Sequence, residues 1–358
     1  MAPNSTLKTI VVIGGTGAQG LAVIRHLSSL KEYQVLALTR SVTSPAAKEL
    51  SQLVNVELVE SQATSGYDLD AFRTAAKRSD CAFINTDGFA VGEIAETYWG
   101  VRLFEVAKQA GVKHFVYSGL DYLANELSYE DDKHYVGHYM GKARVQEYMN
   151  AQPNSPMKWT IINSGPYIEM LGDFLLPSAP TETNPALQFT LPLGSGSVPF
   201  IHLDDFGRYL HWTLTHPSRS NGLTFGIAIA HISGPELAAA YTAATGHPAV
   251  HTDSPIDDWL DAHFSSLPDG VHTKVAAHST SDQATLTLSL GRNFGNWWNL
   301  YRASTPDNKG LIRRDFAFLD EILPDRVRSA EEWFRKVGYT GSKKQLFRGT
   351  WENVKVRT

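Results

Sequence analysis

Lys142 sits in the segment HYVGHYMGKARVQEYM, three residues after Tyr139 and four after His138. On a helix these spacings bring a phenol, an imidazole and an ammonium to neighbouring positions on one face. Tyr135 lies one further turn back. Such a set can pass a proton to a developing oxyanion or amine, with the ammonium favouring negative charge beside it. We rank Tyr139 slightly ahead of His138 as the donor, although an imidazole titrating at about pH 6.5 is chemically apt. Lys142 is their electrostatic partner, and Ser118 is expected to orient the substrate oxygen. The competing reading is packing, in which Tyr135, His138 and Tyr139 only seat a helix on a sheet. Gly137 and Gly141 each cost that helix about 1 kcal/mol against alanine, so a close neighbour is expected at them.

A second stretch suited to chemistry is TIVVIGGTGAQG at 9–20, where four apolar β-formers run into Gly14, Gly15, Gly17 and Gly20. Leu21, Val23, Ile24 and Leu27 follow at helical spacing. The pattern predicts a buried strand, a tight turn and a helix. Glycines there allow φ > 0 and bring bare N–H groups to a diphosphate, and the helix N-terminus adds aligned donors. The spacing is GxxGxxG rather than GxGxxG.

Arg40, flanked by Thr39 and Ser41, closes the second predicted strand. An acidic residue at this place would hold a ribose 2′-hydroxyl, whereas a guanidinium holds a 2′-phosphate and stacks on adenine. NADP(H) is therefore expected over NAD(H).

The elements that must position these residues are legible in outline. Predicted strands lie at 10–13, 33–40, 54–60, 81–85, 112–119 and 157–163, with helices between them. These include one over 93–110, ended by Gly111, and one over 131–150. Short apolar strands alternating with helices imply an α/β fold with a doubly wound parallel sheet, in the order 3-2-1-4-5-6. Ligands gather beyond the C-terminal ends of such strands. Gly14, Thr16, Gly17, Ala18, Gln19 and Gly20 follow the first, Asn85, Thr86 and Asp87 the fourth, Ser118 and Gly119 the fifth. Ser164, Gly165, Pro166 and Tyr167 follow the sixth.

Beyond 170 the regularity fades. Residues 172–197 read as a loop around a cleft, 197–214 as a strand and a helix, and 223–230 as one strand. From 235 the pattern is mainly helical, and Ser329 with Glu332 reads as a capping box before a helix stopped by Gly338. The expected division is 1–170 with 198–230 returning to it, and a smaller lobe from 171–197 and 231–358.

GGTGAQG, Arg40, KHFVYSG, HYMGKARVQEYM and IINSGPYIEML together resemble the NmrA-like family of atypical short-chain dehydrogenase/reductases over most of the chain. WNLYRAS and DFAFLDEI…VRSAEEWFRKVGYTG are similar to fungal members. The resemblance implies a Rossmann-type domain holding NADP(H) and a smaller, mainly helical C-terminal substrate lobe over the nicotinamide. It implies Gly14, Gly17 and Gly20 on the pyrophosphate, Arg40 on the 2′-phosphate and Lys142 near the nicotinamide ribose. Pro166, Tyr167 and Glu169 would line the nicotinamide side. Two departures stand out: Gln62 replaces an aspartate often found near the adenine, and His138 stands where ordinary short-chain dehydrogenases carry the tyrosine of Tyr-x-x-x-Lys.

Phe294, Trp297, Trp298 and Tyr301 form an aromatic stripe at helical spacing, with Trp259 and Phe264 of similar character. Trp297 and Trp298 are expected to wall an apolar substrate pocket, against the plainer reading as core. His134 and His138 have ligand spacing, but no third ligand is near, so no metal is expected. Asp204 or Asp205 is expected as a helix cap, and Lys343, Lys344 and Arg348 as a solvated tail.

A net charge of −5 over 358 residues offers no basic face for nucleic acid. The single cysteine, Cys81, excludes an internal disulfide, and no apolar run approaches the ~20 residues of a membrane span. The chain reads as cytoplasmic. The expected function is an NADPH-dependent reductase acting on a carbonyl or imine of an apolar small molecule, in fungal secondary metabolism. The alternatives are a non-catalytic NADP(H) sensor that regulates a protein partner, and an enzyme that keeps the cofactor while steering a non-redox cyclisation.

Overall fold

In the computed structural model, residues 7–63, 66–123, 127, 131–276 and 287–347 are described. They form two compact units. The first is Met1–Leu120 with Gly141–Asn163 and Phe206–Phe225, and the second is Asp121–Met140 with Ser164–Asp205 and Gly226–Thr358. Residues 121–140 and 164–170, expected in the first unit, fall in the second, and of the expected return of 198–230 the segment 206–225 lies in the first.

The first unit is built on strands β1 (Lys8–Ile13), β2 (Tyr33–Thr39), β3 (Val56–Glu60), β4 (Cys81–Ile84), β5 (His114–Gly119) and β6 (Lys158–Asn163). Between them run helices α1 (Ala18–Leu30), α2 (Pro45–Leu50), α3 (Leu69–Ala76), α4 (Gly88–Val91), α5 (Glu93–Ala110) and α6 (Gly137–Asn150), the last counted with the first unit from Gly141 onward. The sheet order is β3-β2-β1-β4-β5-β6, continued by β9 (Leu223–Gly226), and the pairs from β3 to β6 are parallel. This is the predicted doubly wound arrangement.

Alternation along each strand divides the core. Val11, Ile13, Leu36, Leu38, Phe115 and Tyr117 pack with Phe72 of α3, Phe104 of α5 and Val145 of α6. On the other face Phe83 meets Phe206, with ring centroids 5.8 Å apart. Both faces are thus covered, as near-continuous apolar strands require.

The second unit holds β7 (Leu187–Thr190), β8 (Val198–Phe200), β10 (Ala230–Ile232), β11 (Ala249–Thr252) and most of the remaining helices. These helices are α9 (Gly234–Thr245), α10 (Ile256–Phe264), α11 (Leu290–Arg302), α12 (Phe316–Ile322) and α13 (Ala330–Val337), while α7 (Leu203–Thr215) is divided between the units and α8 (Pro217–Ser220) belongs to the first. β10 pairs antiparallel with β8, and β11 parallel with β7.

Several local expectations change. The helix expected over 131–150 begins only at Gly137, because the Asp131 carboxylate takes the N–H groups of Lys133 (3.1 Å) and His134 (3.3 Å) and closes a turn. Residues 223–230 give two strands rather than one. Residues 172–197 are not all loop, since β7 lies within them. Asp204 and Asp205 fall inside the first turn of α7 rather than capping it, and Asp205 accepts the Val327 N–H at 2.9 Å. Ser329 does cap α13, but the Glu332 carboxylate takes the Arg328 N–H at 2.9 Å. The reciprocal capping box belongs instead to Ser233 and Glu236 on α9. Gly111 and Gly338 end their helices in the left-handed region, as expected.

His114, on β5, gives this core a pH dependence. Burial pulls its imidazole down to about 4 from 6.5, and Nε2 lies 2.8 Å from Thr160 Oγ1. The folded chain keeps the ring neutral over a range in which the unfolded chain binds a proton. This contribution to stability is complete above about pH 6.5 and is lost as the pH falls toward 4. Denaturant midpoints should therefore drop across that window, above the range where carboxylates protonate. His114→Gln should flatten the drop, and an undiminished slope in the variant would refute the assignment.

Candidate functional site

The end of β1 turns through Gly14, whose φ of +80° suits glycine. The Gly17 N–H returns to the Gly14 carbonyl at 3.0 Å. A Cβ on Gly20 would run into the Gly14 carbonyl and the Gly15 Cα, so α1 starts in direct backbone contact with the turn. The N-cap of α1 is Gly17, which makes no side-chain cap, and the first turn carries no acidic residue. The N–H groups at this helix start are therefore left for a ligand, and the helix dipole favours an anion there.

Gln19 in the same turn is buried, yet neither amide atom has a hydrogen-bond partner among the described residues. Arg40 follows β2 as an exposed guanidinium with no hydrogen bond or ion pair among the described residues. Thr39 and Ser41 bond one another, Oγ1 to backbone, at 3.1 and 3.2 Å. Backbone donors, an orphaned buried amide and an uncommitted cation suit an anionic nucleotide carrying several phosphates. At the end of β3, the Gln62 N–H is held by Asp68 at 2.9 Å and its side chain is exposed.

Lys142 has a different surrounding from the one its spacing suggests. Its Nζ donates to the Thr86 carbonyl (2.9 Å), the Ser118 carbonyl (3.0 Å) and Asn85 Oδ1 (3.1 Å), and lies 3.5 Å from Glu96 Oε1. It is thus a strut joining the ends of β4 and β5. Burial pushes the Lys142 ammonium below its ordinary range, opposed by Glu96 and Asp87. Burial likewise pushes the Glu96 carboxyl up, opposed by Lys142 and by a bond to Thr86.

Thr86 Oγ1 is 2.8 Å from Glu96 Oε1 and 2.9 Å from the Tyr117 hydroxyl. Ser118 is buried at the end of β5, and Asp87 caps α4 through the Phe89 and Ala90 N–H groups. A Cβ on Gly141 would lie 2.9 Å from the Glu93 carbonyl, the close neighbour its glycine implied. Sequence reasoning missed Glu96. Its signal was a carboxylate on the apolar stripe of α5, in line with Gly100, Leu103 and Ala107.

The other predicted residues lie in the second unit. The Tyr139 hydroxyl is 2.6 Å from that of Tyr301, and burial pushes the phenol well up. His138 faces Asn293 instead, its Nδ1 3.0 Å from Nδ2. Tyr135 is outside the helix, and Asn296 holds its carbonyl at 2.8 Å. A cavity is lined by Tyr139 with Leu123, Tyr135, Val136, Met140 and Leu300.

Trp297 and Trp298 are both buried, packed with Trp259, Phe294 and Tyr301. Trp298 is wholly enclosed, so it fills core rather than walling a pocket. Pro166 accepts the Ile201 N–H at 2.9 Å, and a Cβ on Gly165 would lie 2.8 Å from the Pro199 carbonyl. The Tyr167 ring lies 6.2 Å from that of Phe347. Glu169 accepts from His202 Nδ1 at 2.6 Å and from the Leu203 N–H at 3.1 Å, which ties it to the start of α7.

Among the described residues no cluster of three His, Cys, Asp or Glu suits a metal, and no helix is long and apolar enough to cross a membrane. His134 pairs with Asp131 at 2.9 Å. Arg348 lies outside the described residues.

The profile of the NmrA-like family matches residues 6–281. Over 344 residues the chain is 25% identical to an NmrA-like family domain-containing oxidoreductase, malD, of Malbranchea aurantiaca, covering 92% of this chain and 96% of that one. It is 30% identical over 242 residues to an NAD(P)H azoreductase of Xenophilus azovorans, covering 67% and 74%. In fold it resembles NmrA, a negative transcriptional regulator solved in complex with NADP, with a TM-score of 0.68 and 19% identity over 92% of this chain and 95% of that one.

The buried pair makes a stability prediction. Lys142→Met leaves Glu96 enclosed without its counter-charge and should cost about 3–5 kcal/mol in urea unfolding. Adding Glu96→Gln should recover most of that loss. A double variant no more stable than Lys142→Met would show that the two side chains do not act together.

Proposed function

This chain belongs to the NmrA-like family, and from that premise we propose that it is an NADPH-dependent oxidoreductase reducing a carbonyl or imine of an apolar small molecule. The observation that carries the proposal is Arg40, an exposed guanidinium without a partner among the described residues, at the strand end next to an uncapped, glycine-built helix start. A 2′-phosphate is the group that such a guanidinium binds bidentately. In this reading the turn of Gly14, Thr16, Gly17, Ala18, Gln19 and Gly20 receives the pyrophosphate on its backbone donors. Asn85, Thr86 and Asp87, together with Lys142 which braces them, border the rest of the cofactor. Relatives named oxidoreductases, most of them fungal, support the reaction class, and a setting in fungal secondary metabolism belongs to the same proposal.

Bound NADPH supplies the hydride. The chain's own task is then to deliver a proton to the oxygen or nitrogen of the reduced group. In this reading Tyr139 is the donor ahead of His138: its hydroxyl lies 2.6 Å from that of Tyr301, whereas His138 is engaged with Asn293.

A regulatory reading draws on one observation, the histidine rather than tyrosine four residues before Lys142. Turnover separates it from the enzyme. Tyr139→Phe should lower kcat for NADPH consumption by about 100-fold or more with the cofactor still bound. A protein that binds NADPH but consumes none with any apolar carbonyl or imine offered would favour the regulator. Arg40→Ala should weaken NADPH binding by about 10- to 100-fold and leave NADH unchanged in fluorescence titration. Equal loss for both would remove Arg40 from the 2′-phosphate.

A further inference from the structure

Lys142 is surrounded by more acceptors than it has hydrogens. An ammonium carries three N–H donors and accepts nothing. The nearest acceptors are the Thr86 carbonyl at 2.9 Å, the Ser118 carbonyl at 3.0 Å and Asn85 Oδ1 at 3.1 Å. Thr86 Oγ1 follows at 3.3 Å and Glu96 Oε1 at 3.5 Å, and the side chain is buried. A bound molecule could take a hydrogen from this ammonium only by breaking one of these bonds.

The same contacts fix the Asn85 carboxamide. Because an ammonium only donates, the amide oxygen must be the atom that faces Lys142. Nδ2, with two hydrogens, is then turned away from Lys142 and has no partner among the described residues. The main chain of Asn85 is tied to β1, its N–H donating to the Ile13 carbonyl at 3.2 Å. A Cβ built on Gly14 would lie 3.3 Å from Asn85 Cβ, so the side chain starts directly beside the glycine turn. β1 and β4 are the neighbours at which the strand order reverses, and the crevice beyond their C-terminal ends is where such sheets take ligands. Half-buried there, Asn85 keeps one uncommitted group, an amide donor.

We infer that Asn85 is a binding residue for the dinucleotide and that Lys142 is its positioning residue. The ammonium holds the carboxamide by its oxygen, Nδ2 donates to an oxygen of the ligand's pyrophosphate–ribose stretch, and Lys142 itself does not touch the ligand. This differs from the direct ribose contact that the family resemblance implies for Lys142. The inference rests on the reading of the turn as a dinucleotide site. A side chain already held in one orientation loses little freedom on binding, so its hydrogen bond is not offset by the cost of ordering it. Glu96 balances the charge of Lys142, and the crevice is offered a neutral donor rather than a cation.

The test follows NADPH binding to the full chain by nicotinamide fluorescence, with urea midpoints measured beside it. Asn85→Asp keeps an oxygen for Lys142 but exchanges the donor for a carboxylate oxygen. Its stability should be retained while the Kd for NADPH rises about 10-fold or more. Asn85→Ala should raise the Kd about 5- to 10-fold. Lys142→Met is combined with Glu96→Gln so that no carboxylate is left buried alone. That pair should weaken NADPH about as much as Asn85→Ala, and adding Asn85→Ala to it should cost nothing more. Losses that multiply would place Lys142 on the ligand directly and overturn the inference, as would an unchanged Kd in Asn85→Asp. If the unaltered chain binds neither NADPH nor NADH, the dinucleotide reading fails first and the inference falls with it.

Discussion

One buried ammonium organises the strand ends of the first unit. Lys142 Nζ reaches the carbonyls of Thr86 and Ser118 and the side chain of Asn85, and Glu96 balances its charge. Asn85 in turn donates its N–H to the Ile13 carbonyl at 3.2 Å, and its own carbonyl stands so close to Gly14 that a Cβ there would lie 2.5 Å away. The turn that receives phosphates in our proposal is thus braced from behind by a charge it never touches. Neither Lys142 nor Glu96 would stay buried singly, since an unpaired ion in this environment costs several kcal/mol. The glycines at 88 and 141 follow from the same constraint, because a Cβ at either would meet the Glu96 carboxylate.

The second unit solves a different problem with aromatic rings. Trp259, Phe294, Trp297, Trp298 and Tyr301 fill its interior through edge-to-face and tilted contacts. Such packing supplies apolar burial while leaving a polar handle, here the Tyr301 hydroxyl 2.6 Å from that of Tyr139. The stripe read from the sequence as core or pocket wall is therefore core. Trp297, Trp298 and Tyr301 are all enclosed, and Tyr301 also meets the Tyr139 hydroxyl.

Buried arginines fix the loops of that unit. Arg314 holds Asp121 and the Ile227 carbonyl, and Arg326 takes the carbonyls of Ala228 and Ile229 at 3.0 and 2.7 Å. These bonds satisfy the chain where 223–230 breaks into two strands. Periodicity could not reveal the break, since LTFGIAIA carries only Thr224 as a polar side chain and the arginines that hold the interruption lie some 90 residues away.

By itself the sequence determined the sheet order, the glycine turn with its uncapped helix, the cation at position 40 and the helix stops at Gly111 and Gly338. Each depends on a local rule: strand alternation, room for a Cβ, the sign of a side chain, or φ > 0. Only the tertiary structure decided what Lys142, Glu96, Glu169 and Tyr301 do. Spacing placed Lys142 beside Tyr139 along a helix, but its partners come from β4, β5 and α5, distant in sequence. Glu169 was read beside a nicotinamide, yet its carboxylate is held at the start of α7. The direction of a buried polar group is set by whichever distant donors and acceptors packing brings within about 3 Å, and no local pattern encodes that.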